Sequence, residues 1–334
     1  MFRQVMTGAA LGIALTFAGT AGAQVVALAT DKAGTTFNTM GTAVASVVSE
    51  NSSLKIIVRP YAGPAAWVPV MNTGEVGLGV MSANSAFQSF TGNNETKTAH
   101  KNFRIVMAGE GSLMLGFLVR KDSPIKTYAD LKGKRISSEF GGHLSIGNSL
   151  AASLEIAGYG WNDVTPVPVV GANDGIEALV ADRLDATWAS LGQPAAREAD
   201  TQVGVRYLGA PNTPEAEAIY QKVVFPGARI SVAKDGMVPG LIGDTPLLSY
   251  DAYIVVNKDV SDEVVTKLVT ALWDNNEKLW AAHRAMSGFT HKAAVTTAPV
   301  APYHPATIEF YKAKGVWDAA AEAKQAKLMA ESGS

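Results

Sequence analysis

The 334-residue chain has no cysteine at all. That excludes disulfides, a thiolate zinc site and a lipoprotein anchor attached through a cysteine. Its five histidines, His100, His143, His283, His291 and His304, show no close metal-ligand pairing, so neither a metal nor any other cofactor is expected. The formal net charge is −2 and no basic run stands out, which removes the electrostatic footprint that nucleic-acid binding needs. Dinucleotide and P-loop glycine runs are missing. Ser123-Pro124-Ile125-Lys126 matches a nucleophile motif of penicillin-interacting enzymes, but its companion motifs are absent. After the first residues no segment is apolar for long enough to span a bilayer.

What is present is a globular composition, 47% hydrophobic and 17% charged, in a chain long enough for two domains. Residues 1–23 read as a secretory signal peptide: Arg3 near the start, an apolar stretch through Phe17, then Ala21-Gly22-Ala23, with cleavage expected after Ala23. A soluble periplasmic protein without stable membrane insertion is implied.

The chain is organised around Val25 to Glu50. Val25 to Ala29 is a buried strand, Asp31 to Gly34 a turn, and Thr35 or Thr36 the cap of a helix whose apolar face is Met40, Val44, Val47 and Val48. Such a helix points free N–H groups and the positive end of its dipole beyond the strand, where an anionic group is favoured. Leu54 to Arg59 and Val76 to Met81 are further strands, the second followed by Ser82, Ala83, Asn84 and Ser85. Three strands thus end in loops on one edge, where open α/β sheets bind ligands.

From Arg135 the design returns: strand, Gly141-Gly142 turn, Ser145 as cap, helix. Thr36, Val58 and Gly74 find counterparts at Ser145, Val167 and Arg183, each 109 residues on (145 − 36, 167 − 58 and 183 − 74). Two similar lobes with facing loops are implied. Phe103 to Met107 and Leu113 to Arg120 read as separate strands, Tyr250 to Val256 as a clear strand, and Asp262 to Ala282 as one long amphipathic helix capped by Ser261.

Several segments together resemble the TAXI family, the substrate-binding proteins of TRAP (tripartite ATP-independent periplasmic) transporters. They are AGTTFNTMG at 33–41, NTGEVGLGVMSANSAFQSFTG, LVRKDSPIKTYADLKGKRIS, ADRLDATWAS and APYHPATIEFYKAKGVW. The segment leading into the second lobe and Tyr303 to Gly315 are the more specific parts. The resemblance spans nearly all of the chain after residue 23. It implies an α/β, two-lobed type II periplasmic binding protein fold with a ligand cleft between lobes, no catalysis, and TRAP membrane subunits as partners. The lobes would be 24–115, 116–247 and a return segment 248–334, closing about strands near 116–120 and 247–255. This chain departs from the family where a glycine-rich first loop becomes Asp31-Lys32-Ala33-Gly34. It departs again where a Thr-Gly-Gly-Ser second loop becomes Ala62-Gly63-Pro64-Ala65-Ala66-Trp67. Hydroxyls are lost and a tryptophan gained, which leans the ligand towards a small organic acid with an apolar part; an amino acid or a dicarboxylate stays open.

The expected ligand contacts are Thr35, Thr36, Phe37, Tyr61, Trp67, Ser82 and Asn84 in the first lobe. In the second they are Gly142, His143, Ser145, Trp188, Ser190 and Gln193. Hydroxyls, amides and helix-start N–H groups hold a carboxylate without a full charge, and rings supply walls. Trp67 and Trp188 are equally good core residues; Lys32 has the charge to pair with an acidic ligand, but a loop lysine beside Asp31 is more often solvated. Two alternatives stand beside a binding protein: a periplasmic enzyme on the same fold with Glu139 as acid or base, and a ligand-binding sensor subunit.

Overall fold

Alternating apolar strands and amphipathic helices build two βαβαβ units, joined by two long strands that both units share. The computed structural model describes residues 24–93 and 97–333. The expected signal peptide, residues 1–23, lies outside the described residues. In the first unit β1 (Gln24–Asp31), α1 (Thr36–Asn51), β2 (Leu54–Tyr61), α2 (Pro64–Asn72) and β3 (Leu78–Ser82) form a parallel ribbon in the order β2-β1-β3. Next come α3 (Ala83–Thr91) and the long strand β4 (Phe103–Arg120).

The second unit repeats the plan with β5 (Arg135–Glu139), α4 (Leu144–Ile156), β6 (Thr165–Val169), α5 (Ala172–Val180) and β7 (Thr187–Ser190). β5 pairs in parallel with β6 on one side, and on the other Ile136 forms an isolated parallel bridge with Ala186, the residue before β7. α6 (Pro194–Val203), β8 (Val205–Tyr207), α7 (Pro214–Val223) and β9 (Arg229–Ala233) complete this side. The chain then returns along β10 (Thr245–Asn257) to α8 (Asp262–Asp274), α9 (Asn276–Ala282), α10 (Pro305–Ala313) and α11 (Ala319–Ser332), with α8 packed on α1 and α10.

β4 and β10 run antiparallel and change partners along their length. Ala252 to Val256 pair with β3, whereas Thr245 to Ser249 pair with β9 and Leu115 to Arg120 with β7 and β8. Between the two regimes the register slips, because Tyr250 faces Leu113 but Ala252 faces Gly109. Residues 110–112 therefore bulge opposite Asp251, with Gly111 at φ +57° and its N–H donating to Asp251 Oδ1 at 3.0 Å. The Arg229 guanidinium holds the same oxygen at 2.8 Å. The expected pair of strands is thus one bulged strand, and the irregularity lies before residues 116–120, which pair regularly.

The core of the first lobe packs Leu28, Met40, Val44, Trp67, Leu78, Val80 and Ile254, all 0% exposed. Each such side chain contributes about 1.5–3 kcal/mol by leaving water. The expected helix Asp262 to Ala282 is broken at Asn275. There the backbone leaves the helical region (φ −128°, ψ 27°) and the side-chain amide donates to Ala271 O at 3.0 Å, satisfying a carbonyl the break exposes.

Candidate functional site

The loops that follow β1, β3, β5, β6 and β7 meet where the two units face each other. Thr35 accepts from the Asn38 N–H at 3.2 Å and so caps α1; Ser82 accepts from the Ser85 N–H at 2.9 Å and caps α3. On the other side His143 occupies the position before α4 without capping it. Ser145, expected as that cap, lies one residue inside the helix, and its hydroxyl turns instead to Ser85 Oγ at 2.9 Å.

A cavity of ≈ 40 Å³ lies here, and its walls come from both lobes. Thr35, Thr36, Phe37 and Ser82 line it from the first lobe, and His143, Ser145, Trp188, Ser190 and Gln193 from the second, as expected from their strand-end positions. Four expected contacts lie elsewhere. Trp67 is a correction: it is 0% exposed and its ring packs so tightly on Gly79 that a Cβ there would approach Cζ3 to 2.7 Å, which places it in the first lobe's core. Tyr61 ends β2 half-buried, outside the cavity wall. Gly142 supports the site by backbone, since its carbonyl accepts from the Ala65 N–H at 3.2 Å across the lobes. Asn84 is fully buried behind the wall and donates to Ser145 O at 3.1 Å.

Sequence reasoning missed Asp31, Ser85, Leu113, Leu115, Ile146, Ala172, Ala189 and Tyr250 as wall residues. For Asp31 the signal was present, because it stands at the carboxyl end of the first strand, but the adjacent Lys32 suggested a solvated turn. Asp31 is 1% exposed and Lys32 is exposed. Tyr250 lies where β10 crosses between lobes; its hydroxyl meets Asn84 and Ser149, and burial holds the phenol well above its usual pKa.

The lobes are hydrogen-bonded to each other through the site. His143 Nε2 and Asp31 Oδ2 are 2.7 Å apart, Thr36 Oγ1 and Ser190 Oγ 2.7 Å, and Asn173 Nδ2 donates to Ala33 O at 2.9 Å. Each bond of this kind is worth about 1 kcal/mol net. Three buried polar atoms of wall residues have no such partner: Asp31 Oδ1, His143 Nδ1 and Trp188 Nε1. Four further buried atoms outside this wall, Trp67 Nε1, Ser138 Oγ, Arg206 Nε and Thr307 Oγ1, also lack a partner; what sets the three apart is that all belong to residues lining one cavity.

Five helices, α1, α3, α4, α5 and α6, start at the wall, through Thr36, Ser82, His143, Ala172 and Gln193. Their dipoles make the cavity's rim mildly positive, and no lysine or arginine lines it. A second cavity of ≈ 100 Å³ opens outward between α2 and α4, lined by Pro64, Ala65, Val68, Gln88 and His100. It shares Ser85, His143 and Ser145 with the inner one. Glu139 is exposed and outside both walls, which removes the acid or base of the enzyme alternative. Among the described residues no group of three or more His, Cys, Asp or Glu could hold a metal, and no helix is long and apolar enough to cross a membrane.

Two α/β lobes, strands shared between them, and a cavity at facing strand ends define the type II periplasmic binding protein fold. Residues 28–315 match the model of the NMT1-like family, and the chain belongs to that family. Among solved structures, one described as a periplasmic transporter is 15% identical, with a TM-score of 0.54, covering 91% of this chain and 98% of that one. PhnD1 from Prochlorococcus marinus (MIT 9301), in complex with methylphosphonate, is 12% identical, with a TM-score of 0.51 and coverage of 80% and 91%. At these identities the likeness is one of fold.

Proposed function

We propose that this protein is a periplasmic solute-binding protein that captures a small organic acid or amino acid between its lobes and hands it to the membrane subunits of a TRAP transporter. The observation that carries the reading is the interlobe cavity, with three unpaired buried polar atoms in its wall. A volume of ≈ 40 Å³ accommodates a few waters and no organic ligand, so the ligand enters only when the lobes part. Residues 24–115 with 248–334 would move against 116–247, flexing at the bulge of residues 110–112 against Asp251.

A carboxylate suits the five helix starts, whose N–H groups bind an anion without a formal positive charge. The TRAP assignment rests on the resemblance of residues 118–137 and 301–317 to TAXI proteins. Closure around the ligand gives the membrane partner a distinct surface to recognise, since contacts from both lobes stabilise the closed state alone.

A thermal-shift screen against amino acids, oxo acids, dicarboxylates and aromatic acids tests the binding reading, because tight binding to the folded state raises its melting temperature. A hit recovered chemically unchanged, with a smaller radius of gyration in solution scattering, is the expected result. A consumed hit or an unchanged radius at saturation rejects it. Delivery is tested in vesicles carrying TRAP membrane subunits, where uptake of the hit must depend on this protein and proceed without ATP. Signalling through a receptor in place of uptake would favour the sensor alternative.

A further inference from the structure

We propose that Asp31 selects the ligand by charge: the site takes a molecule that presents a protonated nitrogen to Asp31 and an anionic group to the helix starts, and discriminates against dicarboxylates and oxo acids. This rests on the solute-binding reading and narrows it. Asp31 is 1% exposed at the end of β1, and only one of its two carboxylate oxygens is used within the protein. Oδ2 takes the bond from His143 at 2.7 Å; Oδ1 is buried, unpaired, and belongs to a wall residue. A carboxylate oxygen accepts and cannot donate, so only a hydrogen-bond donor on the ligand satisfies it.

The charged groups around the cavity favour the same answer. Besides Asp31, His143 and Tyr250 are the other titratable wall residues, and Lys32 next door is exposed and not part of the wall. His143 Nδ1, on the side chain that bonds Asp31, is likewise buried and without a partner. A ligand with two carboxylates would bring one of them against the unpaired oxygen of Asp31, and no lysine or arginine lines the wall to offset the repulsion. A ligand with one cationic nitrogen and one anion matches both ends. The anion meets N–H groups of α1, α3, α4, α5 or α6, and the Trp188 Nε1–H, also unpaired, supplies a further donor.

The test is titration calorimetry with matched pairs that differ at one carbon: leucine and 4-methyl-2-oxopentanoate, phenylalanine and phenylpyruvate, glutamate and 2-oxoglutarate, with succinate as a dicarboxylate. The ammonium member of the best pair is expected to bind at least about 30-fold more tightly, because losing a buried charge-assisted bond costs that much or more. In Asp31→Asn the preference should collapse while the oxo acid binds no worse. The wild-type comparison stands by itself should that variant not fold. An oxo acid or succinate that binds the wild type as well as the amino-group member of the pair overturns the inference while leaving the binding reading intact. Failure of every pair member and of succinate to bind rejects both.

Discussion

Asp31 ends β1 of the first βαβαβ unit and Glu139 ends β5 of the second, at equivalent places in the repeated design, yet their surroundings are opposite. Asp31 is buried in the cleft wall and bonded to His143 across the lobes, whereas Glu139 is exposed. The difference arises in the backbone. Glu139 and Phe140 both adopt positive φ, +66° and +44°, so the chain turns abruptly after β5 and swings the acid outward while Phe140 becomes 0% exposed. After β1 the left-handed residue comes three positions later, at Gly34 (φ +82°), and Asp31 continues the strand into the cleft. A strand end locates the edge of the sheet, and the torsions of the next two residues decide which side chain faces the ligand.

The two buried tryptophans sharpen this contrast with the largest effect. Trp67, on α2 of the first unit, is core; Trp188, on β7 of the second, is 1% exposed against Phe117 (edge-on, 5.3 Å between centroids) and also forms cavity wall. Trp67→Ala should destabilise the fold by about 3–5 kcal/mol, measured by denaturant unfolding, with ligand affinity preserved in the fraction that remains folded. Trp188→Phe keeps a ring against Phe117 and removes the unpaired N–H. It should leave stability within about 1 kcal/mol and weaken binding roughly 5- to 10-fold by calorimetry. Equal loss of affinity in both variants would erase the distinction between core and cleft.

Where the two units touch, glycine is required on both sides. A Cβ at Gly142 would lie 2.4 Å from Ala62 O, and one at Gly63 would lie 2.1 Å from Gly142 O. Both close contacts are backbone against backbone across the lobes, so neither side can give way by rotating a side chain. Gly142→Ala should therefore weaken ligand binding about 100-fold through incomplete closure, equivalent to about 2.7 kcal/mol, while each lobe stays folded. Scattering with ligand is the check: a variant that still contracts like the wild type shows that closure does not need this contact.

Much of the architecture was legible because period and punctuation coincide. The repeat of the two units, the strand-end loops and nine of the cavity's wall residues follow from apolar runs ending in Ser, Thr or Gly, but equivalent strand ends stand 108 residues apart (139 − 31, 169 − 61 and 190 − 82) and not 109, which is why Ser145 falls one residue inside α4. Trp67 was not legible, since a ring in a core and a ring in a cleft wall leave the same apolar trace. β4 read as two strands because Gly109-Glu110-Gly111-Ser112 interrupts its apolar run, although hydrogen bonding continues around the bulge. Asp31 looked like a turn residue beside Lys32; only the packing of the second lobe against it, through His143, turns it into a buried acid.

The smallest effect belongs to Glu139, and it discriminates between backbone and side chain as the source of the asymmetry. If the carboxylate does nothing at an exposed strand end, Glu139→Gln should leave both stability and ligand binding within about 0.5 kcal/mol of wild type. Glu139→Gly acts on the torsion instead: relief of a left-handed conformation worth about 1–2 kcal/mol is partly offset by the greater freedom of glycine in the unfolded chain, about 0.5–1 kcal/mol. A net stabilisation of about 0.5 kcal/mol is expected, seen as a small rise in the denaturant midpoint with an unchanged slope. A Glu139→Gln variant that loses ligand binding, or that stops a ligand from being consumed, would restore this acid to the site and make the two strand ends functional equals.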